Sequence, residues 1–551
     1  MARAPTLPPP LRPPVAALAE AGRWLLRDWR NTSLHHMALG SPRVNGLAIR
    51  PRDLRPGDPE RGARLARGQF RFGGEDFDVG VGGSPWSRAS PSRAFAAALH
   101  GFVWLPDLLT QGEPGAREAL RLWLEWRRVF GRYNPFAWSD LPLERRVFNL
   151  ACAAPLLAPL VSEAEGAAYV DGLARQARHL LGEPGDPGRA AERCAVAALV
   201  GASLADNAGV SLRARALPRL SRRLGAAVLP DGVHASRSPE RGLELLFDLL
   251  ALDDALSQIG EPAPAAVSRA IDRLAAGVRL FTLGDGQLAR FQGGGAAERA
   301  RVAAALALDA GAGEPAQSAP YGGYQRLNAP AIQAIADAGG PPAAAWRGAA
   351  CAQPAALAVS CDGRRLFLGC GWSPAPGADA SLRGPLGGSC VALGDAWPGA
   401  APSRGAPGAG PTVRAERQQT GEQTWLDLVH DGWKAVSCLR RLHLAAATGE
   451  LRGEEVLTPA GDPEKAARAF AVRFILAPEV AAQVAVDARS VLLRPAGGRG
   501  WRLRSDAPLS LEAASVFEAG EPRAAQALVL SGVAPPGEVA RVRWKLAPDE
   551  R

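Results

Sequence analysis

The sequence predicts a mixed α and β chain of several domains, in which a helical half is followed by an all-β half. From about residue 92 to residue 282, apolar residues recur at three- and four-residue spacing, which is the helical period, and Pro and Gly residues separate the segments. After about Tyr321 the pattern changes to short apolar segments with turn signals every few residues, including the Asp-Gly pairs at 362–363 and 431–432. Antiparallel helix pairs and a β-sandwich are the usual packings of two such regions.

The first 84 residues predict a separate N-terminal region. A Pro-rich arm is followed by short segments of alternating apolar residues and glycines, such as Gly68–Gly74, which are typical of hairpins or extended strands. We therefore divide the chain into residues 1–84, 85–318 and 319–551. Prolines interrupt the early apolar residues, so no signal peptide is readable.

Composition sets broad limits on function. The 551 residues are 47% hydrophobic and 22% charged, which is enough for two or three domains with their own cores and excludes a wholly disordered chain. No apolar stretch is long enough to predict a membrane span. The net charge is +9, yet only three of the 64 basic residues are lysines. We attribute this arginine excess mainly to genomic composition bias, although arginine does suit a polyanionic partner.

The cysteines give little support for a metal ribbon or a disulfide framework. There are seven, which is an odd number, and no CxxC pair occurs. The spacing of the last five cysteines permits one disulfide but does not require it.

Several strings, taken in their order along the chain, resemble the heparinase II/III family of polysaccharide lyases. The string Asp231–Glu240 is similar to the family's Asp-Gly-Gly-His-Ile-Ser-Arg-Asn-Pro. The other matching strings are His100–Leu105, Trp138–Asn149, Gly284–Gly286, Phe291–Gly293, Gly323–Leu327, His430–Trp433, Arg440–Leu444 and Leu451–Leu457. The resemblance covers about residues 60–550. It implies an incomplete (α/α) toroid followed by an antiparallel β-sandwich.

The resemblance also implies a reaction, which is cleavage of a glycosidic bond next to a uronic acid by β-elimination. The C5 proton of the uronate is a poor acid, so the neighbouring carboxylate must be neutralised by amide, Arg or His donors. A base then removes the proton and an acid protonates the leaving oxygen. The implied partner is an acidic polysaccharide, and we expect no nucleic-acid partner and no cofactor.

Three residues are the candidates for catalysis: His234, Tyr324 and His430. His234 lies in the Asp-Gly-Val-His string before a predicted helix and is alternatively a histidine satisfied by backbone groups. Tyr324 supplies a phenol that could act as base and acid, but it is alternatively an aromatic packed at the domain junction. His430 precedes an Asp-Gly turn, in a string similar to the family's Ser-His-Asp-Gly-Tyr.

Five further residues are candidates for substrate binding: Arg237, Gln292, His100, Trp104 and Glu240. Arg237 could bind an acidic sugar or form a surface ion pair, and Gln292 stands where relatives usually carry Asn. His100 and Trp104 could line the sugar cleft or belong to the core. Glu240 is alternatively an ordinary acid in the first turn of a helix.

The sequence departs from the family at four positions where relatives carry histidine. Cys351, Gly388, Ile475 and Ala477 stand at these positions, which line the family's cleft or its metal site. Imidazole ligands for a metal are therefore missing. The alternative function is accordingly a non-catalytic or activity-reduced carbohydrate-binding member of the same fold. The resemblance suggests a location in the periplasm or cell envelope.

Overall fold

The computed structural model describes residues 26, 28–182, 185–309, 311, 313–373, 379–403, 408–460, 468–518 and 520–549. The Pro-rich start of the predicted arm lies outside these residues. Within them, helices come first and antiparallel sheets follow, so the predicted fold class is confirmed. The first strand of the β half begins at Ser318, next to the predicted boundary.

The described residues form twelve α-helices. They are α1 (Ser33–Leu39), α2 (Pro59–Ala66), α3 (Arg93–His100), α4 (Leu105–Leu109), α5 (Gly112–Phe130), α6 (Asp140–Leu157), α7 (Glu163–Gly182), α8 (Ala190–Ser203), α9 (Asp206–Ala227), α10 (Pro239–Gln258), α11 (Ala265–Phe281) and α12 (Arg299–Ala307). The helices α8, α9, α10 and α11 pack against their neighbours in sequence or next but one, as expected for stacked helix pairs.

Local chemistry explains where some of these helices begin and end. The side chains of Asp58 and Ser92 accept hydrogen bonds from backbone N–H groups in the first turns of α2 and α3. The sequence predicts one helix from Ala94 to Leu109, but the structure has two. Phe102 adopts a left-handed backbone with φ of 54°, which ends α3 before α4 begins.

The N-terminal region contains both strands and helices. The predicted hairpin is formed by β1 (Gln69–Phe72) and β2 (Glu75–Asp78), which pair antiparallel. The helices α1 and α2 were not expected there. Proline at the first position of α2 has its φ preset for a helix, and Asp58 caps the start, which explains why this segment is helical.

The β half consists of two antiparallel sheets. Their strands are β3 (Ser318–Ala319), β4 (Tyr324–Asn328), β5 (Ile332–Asp337), β6 (Leu357–Cys361), β7 (Arg364–Leu368), β8 (Val391–Leu393), β9 (Arg414–Thr420), β10 (Gln423–Trp433), β11 (Val436–Ala445), β12 (Glu450–Pro459), β13 (Arg468–Leu476), β14 (Val480–Val484), β15 (Ser490–Pro495), β16 (Trp501–Ser505), β17 (Leu509–Glu518), β18 (Glu521–Ala534) and β19 (Ala540–Pro548). The first sheet has the order β17-β18-β13-β7-β6-β5-β4-β3, with β8 also paired to β13. The second has the order β14-β15-β16-β19-β12-β11-β10-β9.

The first sheet is the layer that joins the two halves. Residues such as Leu327, Phe367 and Phe474 pack into the core between the sheets. Tyr324 and Ile335, from the same sheet, belong instead to the core of the helical half. A sheet buried on both faces in this way holds the candidate site residues at a fixed junction.

Buried polar contacts fasten this junction. The Arg326 guanidinium on β4 donates to the backbone oxygens of Leu280 and Thr282 at the end of α11, at 2.7 and 2.9 Å. The carboxylate of Asp231 accepts hydrogen bonds from the N–H groups of Tyr321 and Gly322 at 2.7 Å each. Arg326 thus satisfies carbonyl groups that the last turn of a helix leaves unpaired.

Two glycine substitutions, one in each half of the chain, test the local packing around each glycine. A Cβ atom at Gly453 on β12 would lie 2.0 Å from the Trp544 ring, so Gly453→Ala is expected to reduce the free energy of unfolding by about 1–3 kcal/mol. Gly225 in α9 has no heavy atom within 4 Å of such a Cβ, so Gly225→Ala is expected to stabilise by roughly 0.5–1 kcal/mol. Urea unfolding measures both. Equal effects of the two substitutions would contradict the packing at Trp544.

Candidate functional site

His234 lies in the turn between α9 and α10 and is 1% exposed. Its Nδ1 accepts the backbone N–H of Ser236 at 3.1 Å and lies 2.7 Å from the Ser236 hydroxyl. A backbone N–H needs an acceptor, so the neutral ring carries its proton on Nε2. That atom is buried and has no hydrogen-bond partner among the described residues, and the Trp346 ring lies 6.1 Å away. Burial and the nearby Arg241 hold the pKa of His234 well below 6.5.

Arg237 points across the junction into the β half. It has a left-handed backbone, with φ of 63°. Its guanidinium donates to the backbone oxygens of Gly322, Gly323 and Gly340, at 2.7 to 3.0 Å, and to the Asp337 carboxylate at the end of β5. It is 5% exposed. Arg237 thus forms a buried ion pair and not the surface ion pair considered as the alternative, and its role in sugar binding stays a prediction.

Gln292 completes the same network. Its Nε2 donates to the other oxygen of Asp337 at 2.8 Å, and its Oε1 accepts the backbone N–H of Cys351 at 3.0 Å. Both ends of the amide are therefore occupied. The cavity that Arg237, Gln292, Asp337 and Cys351 share has a volume of about 10 Å³, which is about enough for one water molecule.

Tyr324 on β4 is fully buried beside Arg237. Its hydroxyl donates to the Arg237 backbone oxygen at 2.6 Å, and the Arg237 guanidinium lies 4.8 Å from the ring centre. Burial raises the pKa of Tyr324 well above 10, although Arg237 opposes this shift. The phenol is therefore neutral, and its proton is committed to a backbone carbonyl.

His430 lies on β10, in the second sheet, and is separated from the other candidates. It is 2% exposed, packs against Trp433 and accepts the Gly432 N–H on Nδ1 at 3.3 Å. Burial lowers its pKa to about 4. Neither His430 nor His234 lines the small cavity at Arg237.

His100 and Trp104 are buried among the helices, which agrees with the core position considered as the alternative to a sugar cleft. The Trp126 indole donates to Nδ1 of His100 at 3.0 Å, and Trp104 donates to the Leu99 backbone oxygen at 3.1 Å. Their exposed fractions are 8% and 1%. The left-handed turn at Phe102 directs this segment inward, and the Phe102 and Trp104 rings stack at 4.9 Å.

Glu240 lies in the first turn of α10 but is not an ordinary surface acid. Its carboxylate accepts the Gly295 N–H at 2.7 Å. Burial raises its pKa, and the Gly295 bond opposes that shift. Of the predicted site residues, only Glu240 lines a larger cavity between the helical half, the hairpin β1–β2 and the tip of β17–β18.

The four positions that lack the family's histidines are buried or tightly packed. A Cβ at Gly388 would lie 3.0 Å from the Gln353 side chain. Cys351, Ile475 and Ala477 are 6%, 1% and 2% exposed. Among the described residues no group of three or more His, Cys, Asp or Glu side chains is arranged to hold a metal ion, so the residues present do not fit the family's metal.

Two site residues were missed in the sequence. Asp337 binds both Arg237 and Gln292, but it ends an ordinary apolar strand and carries no local signal. Trp346 lies in a short 3₁₀ turn at Ala344–Ala349 and donates to the Gly188 backbone oxygen at 2.9 Å, which fixes it over His234. The one sequence signal for Trp346 is that it is an isolated tryptophan in an Ala-rich segment.

Other predicted features can be placed as well. All seven cysteines are described and none forms a disulfide. None of the helices in the described ranges is long and apolar enough to cross a membrane.

Comparison with known proteins places this site in a family. Residues 311–545 match the sequence profile of the heparinase II/III-like C-terminal domain. The chain is 45% identical to the FtsZ-localized protein C of Caulobacter vibrioides. The alignment runs over 553 residues and covers 97% of this chain and 96% of that protein. The chain belongs to the heparinase II/III-like family. This membership confirms the resemblance predicted from the sequence.

Solved structures support the same fold for this heparinase II/III-like chain. A crystal structure of heparinase III superposes with a TM-score of 0.70 at 14% identity, covering 97% of this chain and 91% of that one. The heparan sulfate lyase HepC from Pedobacter heparinus gives a TM-score of 0.54 at 14% identity, covering 89% and 82%. At these identities the likeness extends to the fold alone.

Proposed function

We propose that this chain is a non-catalytic member of the heparinase II/III-like family that acts in association with FtsZ. The observation that carries the proposal is the closed network at Arg237. Its side chains are saturated by one another and by backbone groups, and the cavity they share is about 10 Å³. The space between these side chains therefore holds about one water molecule, and a sugar ring would have to lie outside it.

The network also lacks the groups that β-elimination needs. Neutralising a uronate carboxylate requires free donors at the site. The Arg237 guanidinium donates to three backbone oxygens and to Asp337, and the Gln292 amide donates to the same carboxylate. A substrate carboxylate would have to displace Asp337, which is 2% exposed, from both partners.

Proton transfer is disfavoured in the same way. A tyrosine base must lose its proton, but burial raises the pKa of Tyr324 far above neutral and its hydroxyl already donates to a carbonyl. His234 is enclosed beneath Trp346, and His430 lies on the other sheet. Neither His234 nor His430 lines the cavity at Arg237.

The partner in the proposal comes from the relative. The Caulobacter protein, 45% identical along nearly the whole length, is named for its localisation with FtsZ. Identity at this level over both halves supports a shared surface as well as a shared fold. We therefore expect the chain to associate with FtsZ through its folded surface, independently of any lyase site.

A second candidate is the lyase activity predicted from the sequence. The observation in its favour is that Arg237, Gln292 and Tyr324 do come together at the junction, with His234 in the adjoining turn. For catalysis this junction would have to open and release Asp337. The substrate would be a uronate-containing acidic polysaccharide.

Two assays on the full chain separate these functions. In the first, the protein is incubated with a panel of uronate polymers, with heparinase III as the positive control, and ultraviolet absorbance of the conjugated product is followed. We expect no increase. An increase that Tyr324→Phe abolishes would overturn the non-catalytic proposal and establish the lyase.

In the second assay, a fluorescent fusion is expressed in Caulobacter vibrioides, with the relative's own fusion as the control. We expect co-localisation with FtsZ, and co-sedimentation of the purified chain with FtsZ polymers. Diffuse fluorescence together with no co-sedimentation would refute the association. Gln292→Ala, which changes the closed network but no exposed surface, is the matched variant and should localise normally.

A further inference from the structure

A cavity of about 680 Å³ lies at the junction, apart from the closed network. Its walls include the hairpin β1–β2, the helices α2, α3, α4, α6, α10 and α12, the loop 287–298 and the tip of β17–β18. Volumes of this size hold small ligands. None of Arg237, Gln292, Tyr324, His234 and His430 lines it.

Arg290 is the unusual residue in this wall. It is 3% exposed, and within the described part of the chain its guanidinium makes a single hydrogen bond, from Nη2 to the Glu518 carboxylate at 2.8 Å. Its Nε and Nη1 are buried and have no partner among the described residues. Burial and the neighbouring Arg365 lower the pKa of Arg290. Leaving buried donors of a charged group unpaired is costly, so such donors usually mark a site that something else fills.

Arg365 meets Arg290 at the same carboxylate. It lies 3.3 Å from the oxygen of Glu518 that Arg290 contacts and 2.8 Å from Asp285, while its Nη1 is buried and unpaired. Glu518 also binds Arg523 through its other oxygen at 2.6 Å. Three guanidinium groups thus share one carboxylate at the tip of the β17–β18 hairpin.

The other acids in the wall are already paired with other arginines. Glu521 pairs with Arg71, Glu298 and Asp107 pair with Arg61, Glu244 pairs with Arg55 and Arg301, and Asp53 pairs with Arg55. Glu240 accepts a backbone N–H instead. No further carboxylate among the lining residues is therefore available to the unpaired nitrogens of Arg290 and Arg365.

We propose that this cavity binds a small ligand through an oxyanion group, a phosphate or a carboxylate, which takes hydrogen bonds from Arg290 and Arg365. Glu518 supplies an internal carboxylate at the same place and competes with the ligand. Guanidinium groups suit both kinds of oxyanion, because several N–H donors face the acceptor oxygens. The proposal does not depend on FtsZ association or on lyase activity.

Because Glu518 competes with the ligand, two substitutions are expected to change the ligand affinity in opposite directions. Arg290→Gln removes a donor to the ligand and should weaken binding about tenfold. Glu518→Gln removes the competing charge while keeping the side-chain size, and should tighten binding by about the same factor. Arg223→Gln is the matched control, because Arg223 is exposed on α9 and lies outside this cavity.

The measurement is isothermal titration calorimetry of the full chain with inorganic phosphate and, separately, with glucuronate. We expect binding of at least one probe, and the tighter probe identifies the oxyanion class. Absence of binding by both probes would overturn the proposal, as would equal affinities of Arg290→Gln and Arg223→Gln. If Arg290→Gln does not fold, the Glu518→Gln protein decides alone, because unchanged affinity there contradicts the competition.

Discussion

Replacing Asp337 with alanine is expected to lower the free energy of unfolding by about 3–5 kcal/mol. Among the residues that the structure describes, this carboxylate is the only negative charge that binds the buried Arg237 guanidinium, and it also accepts a hydrogen bond from the Gln292 amide. Without it, a buried cation keeps only backbone carbonyl partners, and an amide N–H group loses its acceptor. Guanidinium chloride unfolding of the wild-type protein and of Asp337→Ala, followed by circular dichroism, measures the difference in free energy of unfolding.

Two comparisons make the Asp337 experiment specific. Asp427 on β10 pairs with Arg441 near the surface, so Asp427→Ala should cost no more than about 1 kcal/mol. A double replacement, Arg237→Met with Asp337→Leu, removes both charges and should recover part of the loss. If Asp337→Ala cost no more than Asp427→Ala, the network at Arg237 would not hold the junction as described.

The same network explains why the sequence predicts the fold better than the site. The order of helices and strands follows from apolar spacing and turn residues, which are local properties, and the strings around His234 and His430 identify the family. Arg237 is different, because its partner Asp337 is 100 residues away. Nothing in the residues around Arg237 indicates whether its guanidinium faces a substrate or a buried carboxylate.

His100 and Trp104 show a second limit. Their string resembles the family, and both residue types are common in sugar clefts, but in the structure both are buried, beside a left-handed backbone at Phe102. A left-handed φ in a non-glycine residue is uncommon and has no signal in composition or periodicity. Missing histidines were the more informative feature. Ile475 and Ala477, which stand where relatives carry histidine, pack in the core between the sheets.

Acidification from about pH 7 to about pH 5 is expected to destabilise the protein strongly, through its buried histidines. Burial lowers the pKa of His100 to about 4, of His179 to about 3 and of His430 to about 4. A histidine with a lowered folded pKa stabilises the fold fully above its ordinary pKa of about 6.5, and this contribution is lost as the pH falls towards the folded pKa.

Between about pH 7 and about pH 5, each of these three histidines should therefore lower the free energy of unfolding by about 2 kcal/mol. The unfolded chain takes up the proton over this interval and the folded chain does not. The sum of roughly 6 kcal/mol is comparable with the whole stability of a typical domain. Denaturant unfolding at the two pH values measures it. The buried His234, whose pKa is also lowered, acts in the same direction.

His430→Gln assigns the effect to a particular group. A glutamine oxygen can still accept the Gly432 N–H, but it does not titrate, so the loss between the two pH values should shrink by about 2 kcal/mol. His36→Gln is the control, because His36 is only partly buried and its pKa is lowered less far, so the loss should change by less than it does for His430→Gln. Equal changes for the two variants would mean that burial of His430 does not set its pKa. Because His430 lies in the core of the β half, its titration separates loss of the sandwich from loss of the helical core around His100.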